Sequence, residues 1–174
     1  MSSFDSPRSP VARIPAPPRP ARPILVVDDN DDDRDLLLRR LERAGVTNPV
    51  IACTNGEMAM RTLVERWENH APETWPCLLF LDLHMPGKNG LEVLAWLQGR
   101  PQASGLKAVI ISSSVDPDEM EQARHLGAAG FLVKHPSVEC FDAIVTLANA
   151  VGRASVPAPR EAGPVARPAS RSAR

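Results

Sequence analysis

The chain holds only three cysteines, at positions 53, 77 and 140, and none belongs to a C-x-x-C pair. That scarcity excludes a disulfide framework and a zinc knuckle, and it suits a reducing cytoplasm. Cys53, Cys77 and Cys140 are therefore read as small buried apolar residues. Also missing is any run approaching the roughly 20 apolar residues of a membrane span. The opening MSSFDSPRSP lacks the apolar centre of a secretory signal. Neither export nor membrane insertion is expected. Net charge is almost absent too, at -1 over 174 residues, but that value averages unlike parts.

Seven of the 18 prolines fall in residues 1–23 and four in residues 153–174, where arginines outnumber acids and leave charges of +3 and +4. Residues 24–152 then carry -8. Both ends mix Pro, Ala and Arg without an apolar stripe, so they cannot bury enough surface to offset the entropy of ordering. They are expected to be disordered extensions around one folded domain of residues 24–152. The first holds Pro15-x-x-Pro18 and Pro17-x-x-Pro20, spacings that an aromatic groove on a partner could take, although a plain extension is the simpler reading. The acidic domain argues against direct DNA binding, which calls for clustered Lys and Arg on a folded face. The 22 residues after Gly152 leave no room for a DNA-binding output domain, so output is expected through protein contacts.

Within the domain, short apolar runs alternate with helical stripes. Strands are predicted at Ile24 to Val27, Val50 to Cys53, Leu78 to Leu81, Ala108 to Ile111 and Phe131 to Val133. Helices are predicted at about Asp31 to Ala44, Glu57 to Trp67, around Leu91 to Leu97, Pro117 to Leu126, and about Val138 to Val151. Asp31, Asp32 and Asp33 crowd the first helical turn, where exposed amides favour negative charge. Strands that are apolar throughout belong to a parallel sheet covered on both faces, an α/β architecture whose sites form beyond the carboxyl ends of the strands.

Polar residues converge at that edge. Asp28 and Asp29 end the first strand, Asp82 the third, Ser112 the fourth and Lys134 the fifth. Crowded carboxylates raise one another's pKa unless a cation neutralises them. Oxygen donors without a His or Cys cluster favour magnesium or manganese over zinc. The acidic run DDNDDDR at 28–34 is no calcium loop, because glycine at the sixth position and glutamate at the twelfth are missing. Lys88 is a weak phosphate-loop lysine, since no Ser or Thr follows it. A cation, an ammonium and a hydroxyl around a carboxylate suit in-line phosphoryl transfer, with Asp82 as nucleophile. The loop LHMPGKNG at 83–90 that follows it contains Pro86 and Gly87, residues that favour a turn.

These residues resemble the receiver domain of two-component response regulators over about residues 23–151. The resemblance rests on ILVVDDN at 24–30, FLDLHMPGKNGLEVL at 80–94, VIISSS at 109–114 and GAAGFLVK at 127–134. Ser112 and Lys134 stand 30 and 52 positions after Asp82, the separations of the single-domain chemotaxis regulator. The resemblance implies a flavodoxin-like, doubly wound (βα)5 fold with strand order 2-1-3-4-5. It implies Asp82 as phospho-acceptor and Asp28 and Asp29 as the metal-binding pair, with the His84 backbone carbonyl as a further ligand. Ser112 corresponds to the switch hydroxyl, Lys134 to the phosphoryl contact and Phe131 to the aromatic switch. One departure is Lys134-His135-Pro136, where relatives place proline directly after the lysine. A cis bond is not carried over, since a non-proline cis peptide costs about 2.5–4 kcal/mol. His84 and Ser114 fall at variable positions that in relatives affect dephosphorylation rate.

The implied function is a stand-alone phosphorelay switch rather than an enzyme, taking its phosphoryl group from a sensor histidine kinase or histidine phosphotransfer protein. The spacing from acid pair to Asp82 and the segment FLDLHMPGKNG look like single-domain regulators of bacteriophytochrome-type kinases. A phosphorylation-independent scaffold is the alternative, disfavoured because a scaffold has no use for mutually repelling carboxylates. A phosphohydrolase would need an aspartate where His84 stands. The helical faces around the fourth and fifth helices could form a symmetric homodimer, as in many relatives. Trp67 and Trp75, in the longer connection 67–76, are read as local packing.

Overall fold

A computed structural model describes residues 21–134 and the single position Thr146. Residues 1–20 and 153–174 of the tails, the expected helix at 138–151 apart from Thr146, with Cys140, and the His135-Pro136 departure lie outside the described residues. Strand β1 (Ile24–Val27) and strand β3 (Leu78–Asp82) are buried along their whole length, as expected of central strands with apolar residues on both faces. Around them lie β2 (Val50–Cys53), β4 (Lys107–Ser112) and β5 (Gly130–Val133). All pairings are parallel, in the order β2-β1-β3-β4-β5, so the five carboxyl ends share one edge.

Side chains alternate across this sheet, and two cores result. Ile24, Val26, Leu78, Phe80 and Val109 face helix α1 (Asp31–Arg43), which contributes Leu37, Leu38 and Leu41. Leu25, Val27, Leu79, Leu81 and Ile110 face the other way, onto α2 (Gly56–Asn69), α3 (Gly90–Gln98) and α4 (Pro117–His125). Helix α2 runs two residues beyond Trp67, because its last turn is packed by aromatic rings. Trp67 meets Trp75 edge-on at 6.5 Å and stacks on Trp96 at 5.7 Å. The Arg100 guanidinium covers Trp96 at 3.9 Å. Cys53 and Cys77 are buried free thiols.

Packing reaches upstream of β1. Arg22, a tail charge by sequence alone, is buried and donates from Nε to the Trp75 carbonyl at 2.9 Å and from Nη2 to that of Pro76 at 3.0 Å. Its own carbonyl accepts from Asn48 Nδ2 at 2.7 Å.

Every described α-helix starts just beyond a strand end, on an Asn or Asp cap. The side chains of Asn30, Asn55, Asn89 and Asp116 accept amides of α1, α2, α3 and α4. At α3 the cap is reciprocal: Asn89 takes the Glu92 amide at 2.9 Å and Glu92 takes that of Asn89 at 3.0 Å. Helix α3 also begins against the end of β3. A Cβ on Gly90 would stand 2.4 Å from the Asp82 carbonyl oxygen and 2.9 Å from Leu83 Cα, both backbone atoms. Gly90→Ala should therefore cost about 1–3 kcal/mol, read as a lower urea midpoint. A midpoint equal to wild type would show that the approach is not tight.

Candidate functional site

Register decides what meets at the carboxyl edge. Val27 is paired with Leu81, Asp82 with Ile111 and Ser112 with Val133, so the residues that follow or end these strands crowd together. Asp28 and Asp82 are 7% and 3% exposed, whereas Asp29 faces solvent. One oxygen from each of the three carboxylates lies within 4.8 Å of the others.

Lys134 follows β5 and its amide donates to the Ser112 carbonyl at 2.7 Å. Its ammonium reaches three carboxylates: Asp82 Oδ2 at 3.0 Å, Asp28 Oδ2 at 3.0 Å and Asp33 Oδ2 at 2.9 Å. Burial works against charge on this lysine, but the bonds to Asp33, Asp82 and Asp28 outweigh it and hold the pKa above the ordinary lysine value. At Asp28 burial prevails over the stabilising bonds. Burial pushes its carboxyl above the usual range and the Asp82 charge adds to the rise, against the Asn30 amide at 2.9 Å and Lys134.

One ammonium cannot balance the charge of Asp28, Asp29, Asp33 and Asp82. The remaining donors are hard oxygens, and Asp29 keeps the cluster open to solvent. The site is thus able to coordinate a divalent metal, with Asp28, Asp29 and Asp82 as the donors.

Asp33 was missed as a site residue. Its acidic neighbours explain why: Asp31 pairs with Arg34, whose Nη1 donates to the Asp28 carbonyl at 2.9 Å, so the run DDD read as one helix-end feature divides its tasks.

Ser112 is fully buried, and its hydroxyl is directed to His84 rather than to Asp82. Its Oγ lies 3.3 Å from His84 Nδ1 and accepts the Ser114 amide at 3.1 Å. His84 Nε2 is 2.8 Å from Glu119 Oε1 on α4, and the His84 amide donates to Asp82 Oδ1 at 3.3 Å. The sequence places His84 at a position that in relatives affects dephosphorylation rate, but the contacts of its ring with Ser112 and Glu119 had no local signal. Phe131, on β5, is half-buried and lines a surface cavity of about 470 Å³ with Met120 and Arg124 of α4. The structure thus gathers Asp28, Asp29, Asp82 and Lys134, and sets Ser112 and Phe131 alongside.

Residues 24–145 match the response regulator receiver domain, and the chain belongs to that family. Its site is the acidic cluster of a receiver domain, capable of metal and phosphoryl coordination. The sensory/regulatory protein RpfC of Xanthomonas campestris pv. campestris is 33% identical over 140 residues, which cover 78% of this chain and 18% of RpfC. The chain thus spans less than a fifth of that relative. The response regulator Rcp1 of Synechocystis sp. is 29% identical over 116 residues, 66% of this chain and 78% of Rcp1. The Mn(2+)-bound structure of Rcp1 superposes with a TM-score of 0.63 at 26% identity, covering 79% of this chain and 99% of that one. The bacteriophytochrome response regulator RtBRR gives 0.64 at 27%, covering 81% and 85%. No helix among the described residues is long and apolar enough to cross a membrane.

Removing the ammonium should leave the carboxylates to repel one another. Lys134→Met should lose about 1–3 kcal/mol in metal-free buffer, less than a fully buried pair because Asp29 is solvated. Magnesium should recover part of that loss, since a cation that binds only the folded state stabilises it. Urea unfolding with chelator and with magnesium checks both; equal losses in the two buffers would contradict the compensation.

Proposed function

We propose that Asp82 accepts a phosphoryl group from a phosphohistidine of a sensor histidine kinase or histidine phosphotransfer protein. The observation that carries this reading is the Asp82 carboxylate itself, 3% exposed at the end of a central strand and within 3.0 Å of the Lys134 ammonium. An Asp82 oxygen forms the new bond to phosphorus as the phosphorus–nitrogen bond of the donor breaks, and the imidazole leaves with a proton from solvent. Water later cleaves the acyl phosphate, returning the carboxylate and inorganic phosphate.

Magnesium, held by Asp28, Asp29, Asp82 and the His84 backbone carbonyl, would supply charge compensation and orientation of the phosphoryl oxygens when bound; manganese suits the same donors. Lys134 already sits on Asp82 and needs only to exchange a carboxylate oxygen for a phosphoryl oxygen. Ser112 supplies the switch hydroxyl and Phe131 the aromatic group that responds to it. Phe131 lacks a hydroxyl, so its response is one of packing against α4. The change in population is read through protein contacts or a homodimer on the face of α4 and β5.

The receiver comprises residues 24–152, with Arg22 and Pro23 of the 1–23 extension packed onto it and a second extension at 153–174, and works in the cytoplasm. Likeness to RtBRR and to a second bacteriophytochrome response regulator, AtBRR, at 27% identity each, supports a bacteriophytochrome-type kinase as its donor.

An acyl-phosphate donor with magnesium, followed by intact-mass measurement, tests the reading. Wild type should gain one phosphoryl group and Asp82→Asn none. No gain in wild type, where a control receiver is modified, would sink it. Ser112→Ala should still accept phosphate yet lose most of the change in partner binding.

A further inference from the structure

We propose that His84 and Glu119 form a latch that holds the Ser112 hydroxyl away from Asp82 and ties it to the first turn of α4. The proposal rests on the receiver reading of the site, because the hydroxyl it restrains is the one assigned to the phosphoryl group.

The hydrogen bonds have a direction. Glu119 Oε1, 2.8 Å from His84 Nε2, is a carboxylate oxygen that accepts only, so Nε2 carries the hydrogen. In the neutral ring Nδ1 then bears a lone pair. It faces Ser112 Oγ at 3.3 Å, so the hydroxyl donates to the imidazole while its oxygen accepts the Ser114 amide at 3.1 Å. The run Ser114, Ser112, His84, Glu119 thus crosses from the end of β4, over the loop after β3, to α4.

This arrangement commits the one hydrogen Ser112 has to offer. To donate to a phosphoryl oxygen on Asp82, Ser112 must first release Nδ1. At 3.3 Å that bond is the longest of the run and the first to yield.

Glu119 shows that the pair is held. It lies on the first turn of α4, where an acidic side chain could remain in water, yet it is turned inward. Its Oε2 is buried with no hydrogen-bond partner among the described residues, a cost that a freely turning surface glutamate avoids. The compensating contact is His84. Glu119 is therefore a positioning residue, acting on Ser112 through the imidazole.

Two measurements test the latch. The imidazole nitrogen spectrum of the metal-free wild type should show His84 carrying hydrogen on Nε2 with Nδ1 bare; a hydrogen on Nδ1 overturns the proposal. The second measurement is titration with beryllofluoride and magnesium, a phosphoryl mimic. Glu119→Ala should bind it about two- to tenfold more tightly than wild type, the worth of one modest hydrogen bond. Glu119→Gln, whose amide oxygen can still accept from Nε2, should stay within about twofold. An effect on the α4 helix dipole would move both variants alike, because both remove the charge. Alanine matching wild type, or glutamine shifting as far as alanine, overturns the latch. If wild type itself fails to bind beryllofluoride, the receiver reading falls and the latch falls with it.

Discussion

The Lys134 ammonium, set among Asp28, Asp33 and Asp82 at 2.9–3.0 Å, is the interaction on which the rest of the site depends. It joins the last described strand to the first and third, and it lets carboxylates approach that would otherwise repel. Such a pairing is a weak source of net stability, because desolvation offsets most of the attraction. Its value here lies in geometry. The charge left over is negative, and it is this residual charge that makes a divalent cation fit.

Close backbone approach is the second constraint. The loop after β3 is gripped from two sides by helix starts. Gly90 leaves room for the Asp82 carbonyl, and a Cβ on Gly56, at the start of α2, would fall 2.3 Å from the Lys88 carbonyl oxygen. Glu57 then accepts the Lys88 amide at 3.0 Å, and Gly87 takes the left-handed conformation, with φ of 76°, that the turn requires. The segment carrying His84 is thereby fixed on both flanks, which is why an imbalance at Asp82 has few ways to relax except through side chains. Those side chains point to α4.

Two cores back to back explain how one edge can change while the sheet does not. Ile110, Leu81 and Val27 are locked between α2, α3 and their strands, and β1 and β3 have no exposed residue. On the β5 side, by contrast, Phe131 is half-buried, Met120 and Val133 are exposed, and a surface cavity is lined by α4 and the strand. A rearrangement that starts at Ser112 meets the least packing resistance there.

Much of this was legible in the chain alone. Apolar runs at Ile24–Val27 and Leu78–Asp82 announce buried parallel strands, and the placing of Asp28, Asp82, Ser112 and Lys134 at one sheet edge is readable because each sits at a strand end, a position that local pattern reveals. Burial of Arg22 was not readable, since it depends on the Trp75 and Pro76 carbonyls more than fifty residues away. Nor was Asp33, which meets Lys134 across 101 residues, or the contact of His84 with Glu119 across 35. Hydrophobic period and caps are local quantities, so the sequence by itself determined which residues form the strands and which polar groups reach their ends. Direction of a polar side chain is decided by whatever partner the register brings near, and only the tertiary structure could send Asp33 to the lysine and the Ser112 hydroxyl to the imidazole.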